Sequence, residues 1–243
     1  VKLFICSDVH GNLRAFDVAL EAYREHSPCR LLFLGDAVGY GAHPDACLDR
    51  LLALPRSNLV LGNHDWAVLD VSEREHFHAA AFTAIEWTVK ALKGKYNDPL
   101  LKRFDLTVRN SEFLAAHGSP VHPEEFTYIF SMYEAENAFN ASDFSLCFVG
   151  HTHVPMVYNL TGGPKSLEPG EPLALDPSGR YIINPGSVGQ PRDGDNRAAF
   201  MIYDPEERTV TLHRREYDIE AEAKEIIEAG LPPYFAERLT AGG

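Results

Sequence analysis

Three short apolar runs near the start of the chain each break abruptly into a polar cluster, and no other feature constrains the fold as much. Val1–Cys6 ends at Ser7-Asp8-Val9-His10, Leu31–Leu34 at Gly35-Asp36, and Leu59–Leu61 at Gly62-Asn63-His64-Asp65. Short apolar runs bounded by turn residues suit buried strands. Between the first two, Leu13, Phe16, Ala19, Leu20 and Tyr23 recur at helical spacing from Asn12, a good N-cap, up to Ser27-Pro28. Between the second and third, Cys47, Leu48, Leu51 and Leu52 predict a helix that stops before Pro55. A β-α-β-α-β order implies right-handed crossovers and a parallel sheet. Ligands of such sheets lie beyond the carboxyl ends of the strands, so the three polar clusters are predicted to meet at one edge.

Downstream, Glu73 to Lys93 carries Phe77, Ala80, Ala81, Ala84, Ile85, Thr88 and Leu92 in a rough stripe and is predicted as one long helix. Strands are expected at Phe104–Val108 and at Glu112–Ala116, the latter running into His117-Gly118. Ser131 to Asn140 predicts a helix, and Leu146–Val149 a buried strand ending at Gly150-His151. Met156–Leu160, Tyr181–Ile183, Ala198–Tyr203 and Thr209–Arg214 are expected to complete a second, mixed sheet. The Gly- and Pro-rich stretch from Gly162 to Gly179 predicts a hairpin excursion or a flexible loop. Ile219 to Ala229 predicts a final helix with Glu and Lys on its outer face. The 243 residues are expected to form one α/β domain spanning 1–243.

Composition narrows the function. Lys and Arg number 22 against 35 Asp and Glu, a formal net charge of −13 with no long basic run. No duplex nucleic acid is expected as partner, because coating phosphates takes clustered cations. Small phosphate esters remain open as substrates, since bound metal ions invert the local charge of a site. Cys6, Cys29, Cys47 and Cys147 are scattered, which disfavours a disulfide framework or a zinc-thiolate site. No stretch is apolar for the roughly 18 residues of a membrane span, and the opening strand pattern lacks a signal peptide's basic and apolar regions. A cytoplasmic enzyme without membrane contact is the expectation.

Five motifs each follow an apolar strand: Asp8-Val9-His10, Gly35-Asp36, Gly62-Asn63-His64-Asp65, His117-Gly118 and Gly150-His151-Thr152-His153. Imidazole and carboxylate are the side chains that hold Zn, Mn or Fe, and an amide oxygen can add one hard ligand. The pairs Asp8/His10 and His151/His153, with Asp36, Asn63 and His117, make seven donors. Seven exceed what one tetrahedral ion with an open position takes. They suit two ions sharing a bridging carboxylate.

Together and in this order, the D-x-H, G-D, G-N-H-D, H-G and G-H-T-H motifs resemble those of the calcineurin-like metallophosphoesterase superfamily, across residues 8 to 153. The resemblance implies an α/β, four-layer sandwich of two mixed β-sheets flanked by helices. It puts Asp8, His10, Asp36 and His153 on one metal, with Asp36 bridging to a second held by Asn63, His117 and His151. The implied cofactors are two divalent ions, drawn from Mn, Fe, Zn and Ni. His64 matches the superfamily's catalytic histidine. The implied reaction is hydrolysis of a phosphate ester by a hydroxide that bridges the ions. His64 would protonate the leaving oxygen or stabilise its charge, a role suited to a pKa near neutrality.

Protein serine/threonine phosphatases read G-D-x-V-D-R-G at the second motif, where this chain has Gly39 and Tyr40 in place of the Asp and Arg. The segment from Asn184 to Arg192 instead resembles the small bacterial and archaeal phosphodiesterase branch, often labelled by similarity to diadenosine tetraphosphatases. That resemblance implies a Gly-rich turn near the metals, whose backbone N–H groups could face an anion. Arg192 or Arg197 could clamp a phosphate oxygen, or equally pair with Asp193 and Asp195. The leading expectation is a phosphodiesterase acting on a small, nucleotide-like ester. The alternatives are a phosphomonoesterase or protein phosphatase, and a non-catalytic binding scaffold of the same fold.

Tyr40 could stack on a base or pack in the core, and Phe126, Tyr128, Phe130, Tyr133 and Phe139 could line a cleft or the core. His26, His43, His76, His78, His122 and His213 match no motif and are read mostly as surface residues. His76 and His78 lie two apart on the predicted helix and should face different sides.

Overall fold

Successive side chains of the opening strand point to opposite faces, and both faces are apolar, so the strand must be covered on both sides. The computed structural model, which describes residues 1–27, 29–55 and 57–243, shows how. The first half runs β1 (Lys2–Cys6), α1 (Leu13–Glu25), β2 (Cys29–Phe33), α2 (Pro44–Leu52), β3 (Ser57–Leu59), α3 (Asn63–Leu69), α4 (Ala79–Leu92) and α5 (Asn97–Arg103). The second half runs β4 (Thr107–Arg109), β5 (Leu114–Ala116), α6 (Met132–Ala141), β6 (Leu146–Phe148), β7 (Met156–Asn159), β8 (Gly163–Lys165), β9 (Pro172–Ala174), β10 (Tyr181–Asn184), β11 (Ala198–Asp204), β12 (Thr209–Arg215), α7 (Ile219–Glu228) and α8 (Pro233–Ala241).

These strands form two mixed six-stranded sheets, ordered β3-β2-β1-β11-β12-β9 and β4-β5-β6-β10-β7-β8. Leu3 and Ile5 of β1 face the core between the sheets, with Phe148, Ile183 and Met201. Phe4 and Cys6 face the other way, with Phe16, Ala19 and Leu20 of α1 and Leu48 and Leu51 of α2. The second sheet repeats the alternation, turning Cys147 and Ile182 outward onto Ala138 and Phe139 of α6. The result is the four-layer sandwich of helices, sheet, sheet and helices.

β1, β2 and β3 are parallel, as the β-α-β-α-β order requires. Asn12 caps α1, its side chain accepting from the Ala15 amide at 3.0 Å. Pro28, expected as part of the stop of that helix, lies outside the described residues.

Gly162 to Gly179 begins as the expected hairpin excursion, β8 returning antiparallel to β7, and then crosses to supply β9 to the edge of the first sheet. Three expectations need correction. Ala198–Tyr203 and Thr209–Arg214 are expected in the second sheet, but β11 pairs antiparallel with β1 (Leu3 opposite Tyr203) and carries β12 with it into the first. The single helix over Glu73–Lys93 is broken: a 3-10 turn at Ser72–His76 is followed by Phe77 in extended backbone and by His78 as N-cap of α4. α7 does not turn all its acids outward, for Glu222 is fully buried and meets Arg14 at 3.2 Å.

His213 also departs from the surface expectation. Its ring stacks on Phe200 of β11 at 5.4 Å and meets His26 edge-on at 5.1 Å. Burial pushes it down to about 4, and His26 and Arg215 add to the effect. An unfolded histidine titrates near 6.5, so the unfolded chain binds the extra proton first. The stability that a neutral His213 contributes is whole above about pH 6.5 and is lost as pH falls toward 4. Discounted for a half-exposed ring, the effect is about 1 kcal/mol, or roughly 2–4 °C in Tm. His213→Phe is therefore expected to shrink the fall in Tm between pH 7 and pH 5 by that much; an unchanged fall would refute the assignment.

Candidate metal centre

The carboxyl ends of β1 and β2 run on as two loops laced together, the Asp8 amide donating to Gly35 O at 3.0 Å and the His10 amide to Asp36 O at 2.9 Å. Asp8, His10, Asp36, His151 and His153 all sit in the left-handed backbone region, with φ between 50° and 67°. For residues with a Cβ this costs about 1–2 kcal/mol each. Alternating such residues with extended ones folds each loop so that side chains at i and i+2 converge instead of splaying.

The convergence is tight. His10 Nε2 lies 3.1 Å from His153 Nε2, and His153 Nε2 lies 3.3 Å from Asp8 Oδ1. Asp36 Oδ2 lies 3.6 Å from His10 Nε2 and 3.2 Å from His117 Nε2. Asn63 Oδ1 stands 3.2 Å from His117 Nε2. His151 joins Asp36 and His117 as a third such donor group. All seven predicted ligand positions are thus brought to one place.

Three tests on the donor atoms show that these residues fit metal ions. First, backbone carbonyls stand against the Nδ1 atoms of three rings: Val38 O at 3.1 Å from His10, Leu34 O at 2.6 Å from His117, and Gln190 O at 2.5 Å from His153. A carbonyl only accepts, so Nδ1 carries the proton, and wherever the ring is neutral its Nε2 lone pair points inward. The two lone pairs of His10 and His153, facing at 3.1 Å, repel unless a cation lies between them. Second, Asp8 Oδ1 and Asp36 Oδ2 are buried with no hydrogen-bond partner. Third, burial pushes Asp8 up to about 7, with His117 opposing and Asp36 adding. Burial also keeps His10, His151 and His153 well below the usual histidine range, hence neutral, as ligands must be. His117 differs: burial lowers it, but the neighbouring Asp36 outweighs that and it is pushed up to about 9.

Other groups hold the ligands in place. Asp65, the last residue of G-N-H-D, accepts from the amides of Asp36, Ala37, Val38 and Gly62 and so ties the second ligand loop to the third. The turn from Asn184 to Arg192 does lie at the centre, but its backbone N–H groups do not face an anion. The Val188 and Gly189 amides donate to Ser7 O and Asp8 O, Gly186 and Gln190 donate to Asn184 Oδ1 and Ser187 Oγ, and Arg192 donates to His153 O. The turn braces the first ligand loop.

His64 stands beside the ligands. Its amide donates to Asp36 Oδ1 at 2.9 Å, its Nε2 pairs with the Tyr40 hydroxyl at 2.9 Å, and its Nδ1 is buried without a partner. Tyr40 is 7% exposed and lies against His10 at 4.4 Å on one face and Phe235 of α8 at 4.4 Å on the other. Glycine at 39 makes room for these rings, since a Cβ there would meet His64 Nδ1 at 2.7 Å and His10 Nδ1 at 2.8 Å.

A cavity of about 550 Å³ opens on Asp36, Asn63, His64, His151 and His153. Arg192 lines it and Arg197 does not. Arg197 pairs with Asp195 at 2.6 Å and faces a separate hollow with Arg214 and Arg215. Of the aromatic stretch, Phe126 and Tyr128 line the cavity, Phe139 is core, and Phe130 and Tyr133 are exposed. His76 and His78 both border the cavity, because the helix expected to part them breaks at Phe77. Arg238 of α8 also lines it, and no sequence motif points to that residue.

The chain is similar to several known proteins. Residues 1–208 match the Calcineurin-like phosphoesterase superfamily domain. An uncharacterized protein of Methanocaldococcus jannaschii is 37% identical over 241 residues, which span 98% of this chain and 97% of that protein. The phosphodiesterase YfcE of Escherichia coli is 25% identical over 214 residues, 84% of this chain and 88% of the relative. The crystal structure of a metallophosphoesterase from Sphaerobacter thermophilus superposes with a TM-score of 0.87 at 39% identity, over 100% of both chains. With its motifs in order, its donors converged and its match running from residue 1 to residue 208, this chain belongs to the calcineurin-like phosphoesterase superfamily.

Proposed function

We propose that the chain is a single-domain phosphodiesterase that hydrolyses small, nucleotide-like diesters with two divalent cations. The observation that carries this reading is the pair of buried, unpartnered carboxylate oxygens, Asp8 Oδ1 and Asp36 Oδ2, set among inward-facing imidazole nitrogens beside a cavity that Asp36, His151 and His153 line. Asp8, His10, Asp36 and His153 would hold one ion, and Asp36, Asn63, His117 and His151 the other. The mixed nitrogen and oxygen donors suit Mn, Fe, Zn or Ni. When bound, such a pair neutralises phosphoryl oxygens and activates water for in-line displacement.

The chain's own residues supply position and protons. Arg192 reaches the cavity from the braced turn and can fork onto a phosphate oxygen. His64 does not have the near-neutral pKa expected of it: burial pushes it down to about 4, against the pull of Asp36. At neutral pH its ring is therefore uncharged, with one N–H to donate to the leaving oxygen. The negative charge of a bound ester opposes the desolvation and favours the imidazolium, whose second proton can pass to the leaving oxygen and leave the ring neutral again. The Tyr40 hydroxyl fixes the ring's orientation.

The preference for diesters rests on room. A second substituent on phosphorus can lie against Phe77, Phe126 and Tyr128, which form the apolar wall of the cavity. Likeness to an E. coli phosphodiesterase supports the same choice. Glu73, Glu124 and Glu125 line the cavity too, which suits a small ester better than a duplex backbone. No helix among the described residues is long and apolar enough to cross a membrane. The free cysteines suit a reducing compartment such as the cytoplasm.

Protein stripped of metal and reloaded with Mn²⁺ is expected to turn over bis-p-nitrophenyl phosphate with kcat/KM at least about tenfold above that for p-nitrophenyl phosphate. The reverse preference would replace the diesterase reading with a monoesterase one, and no hydrolysis of either would favour a binding scaffold.

A further inference from the structure

The second motif departs from the protein phosphatase pattern at Gly39 and Tyr40, and both residues bear on His64. A ring nitrogen offers one hydrogen-bonding direction, in the plane of the ring. At His64 both directions are taken. Nδ1 is buried and lies against Gly39, where a Cβ would stand only 2.7 Å from it. Nε2 meets the Tyr40 hydroxyl at 2.9 Å. His10, Tyr40 and Phe77 stand across the ring at 4.7, 4.5 and 4.6 Å and keep it from turning either nitrogen outward. Neither nitrogen is left to meet an oxygen in the cavity.

The Tyr40 hydroxyl has the freedom that His64 lacks. A hydroxyl that accepts from Nε2 still has its own proton to give. Tyr40 lines the cavity with Asp36, Asn63 and Arg192. Burial pushes this hydroxyl up and the Arg192 guanidinium opposes that, so the hydroxyl and the arginine that can fork onto phosphate are neighbours. Its ring is held between His10 and Phe235, each at 4.4 Å, and Thr88 Oγ1 anchors the Gly39 carbonyl at 3.0 Å. The oxygen therefore has a fixed position beside the ligands.

We infer that Tyr40, and not His64, touches the leaving oxygen, and that His64 acts through it. This rests on the reading of the cavity as a phosphoester site. The bond from phosphorus to the leaving oxygen breaks with its electron pair on oxygen. That oxygen takes the Tyr40 proton, and Tyr40 Oη takes the proton on His64 Nε2. The tyrosine ends as it began, and the histidine ring ends neutral.

The test pairs Tyr40→Phe, which keeps both ring contacts, with His64→Ala in Mn²⁺-loaded protein. On diphenyl phosphate each single variant is expected to lose about 10² or more in kcat, and the double variant no more than the worse of the two, because both changes cut one path. On bis-p-nitrophenyl phosphate, whose leaving group needs little help, Tyr40→Phe should lose less than about tenfold. Inorganic phosphate, which can set one oxygen at the leaving position, should bind Tyr40→Phe about tenfold more weakly by titration calorimetry. The rise in Tm with Mn²⁺ should match that of the wild type, which excludes a lost ion. Turnover of diphenyl phosphate by Tyr40→Phe within about threefold of wild type, or single losses that multiply in the double variant, would overturn the assignment. A wild type without turnover, whose Tyr40→Phe variant still binds phosphate more weakly, would sink the enzymatic reading and leave the contact standing.

Discussion

Asp36→Asn is expected to give a folded protein that has lost much of its response to divalent cations and nearly all turnover. The substitution keeps the side chain's shape, and its Oδ1 can still accept the His64 amide. What disappears is the charge on Oδ2, the one oxygen within 3.6 Å of His10 Nε2 and 3.2 Å of His117 Nε2 and so able to serve both halves of the cluster. With that oxygen neutral, Asn63, His117 and His151 are left without a carboxylate, whereas Asp8, His10 and His153 keep one and can still hold a single ion. A loss in kcat/KM of about 10³ or more is expected, roughly 4 kcal/mol of transition-state stabilisation. The same variant is read by heat. A ligand at 100 times its Kd stabilises the native state by about 2.7 kcal/mol, so Mn²⁺ should raise the wild-type Tm by several degrees. Asp36→Asn should show a much smaller rise. If the variant kept both the Mn²⁺-dependent rise and turnover within tenfold of wild type, the bridging role would be wrong.

His64→Ala should separate the chemistry from the metals. His64 makes a donor group of its own with His10 and Asp36, but the groups Asp8, His10, His153 and Asp36, His117, His151 are complete without it, so the thermal response to Mn²⁺ should survive. Turnover should fall by about 10² to 10⁴, the usual contribution of a positioned proton donor. The fall should be steeper for an alkyl ester than for a p-nitrophenyl ester, whose leaving group needs little help. A uniform loss across leaving groups would make His64 an electrostatic or structural element. Metal content measured alongside guards against a trivial cause.

The ligands were legible because their chemistry forces a pattern on the sequence. Asp8, Asp36, Asn63, His117 and His151 each follow an apolar strand; parallel pairing aligns the first three ends in one sheet and the last two in the other, and the packing of the sheets joins the two sets. Sheet membership was not legible in the same way. Ala198–Asp204 is apolar on both faces, which says that β11 is central but not in which sheet. Pairing with β1 is decided by tertiary contacts across nearly the whole chain. The break at Phe77 was hidden for a related reason, since its residues have helical periodicity, yet the ring is drawn out of the helix to stand edge-on to His64 at 4.6 Å. Arg238 left no trace at all, because a lone arginine on an amphipathic helix looks like any solvated charge until the helix is docked. The choice between Arg192 and Arg197 turned on an Asx-type contact, Asp195 accepting from the Arg197 amide and side chain, which draws that arginine away from the cavity.

The place of β1 in its sheet also sets a timetable for synthesis. Ile5 pairs with Met201 on one side and with Leu32 on the other. On a ribosome adding about 5–20 residues per second, β1 meets β2 within seconds but waits about 10–40 s for β11 to emerge. Throughout that interval its free edge is an apolar template for any extended chain nearby, and the loop with Asp8 and His10 lacks the Val188–Gly189 brace. A nascent chain can thus gather its histidines and carboxylates fully only after β11 has emerged, so any metal loading becomes a late event, coupled to whatever has shielded that edge until then.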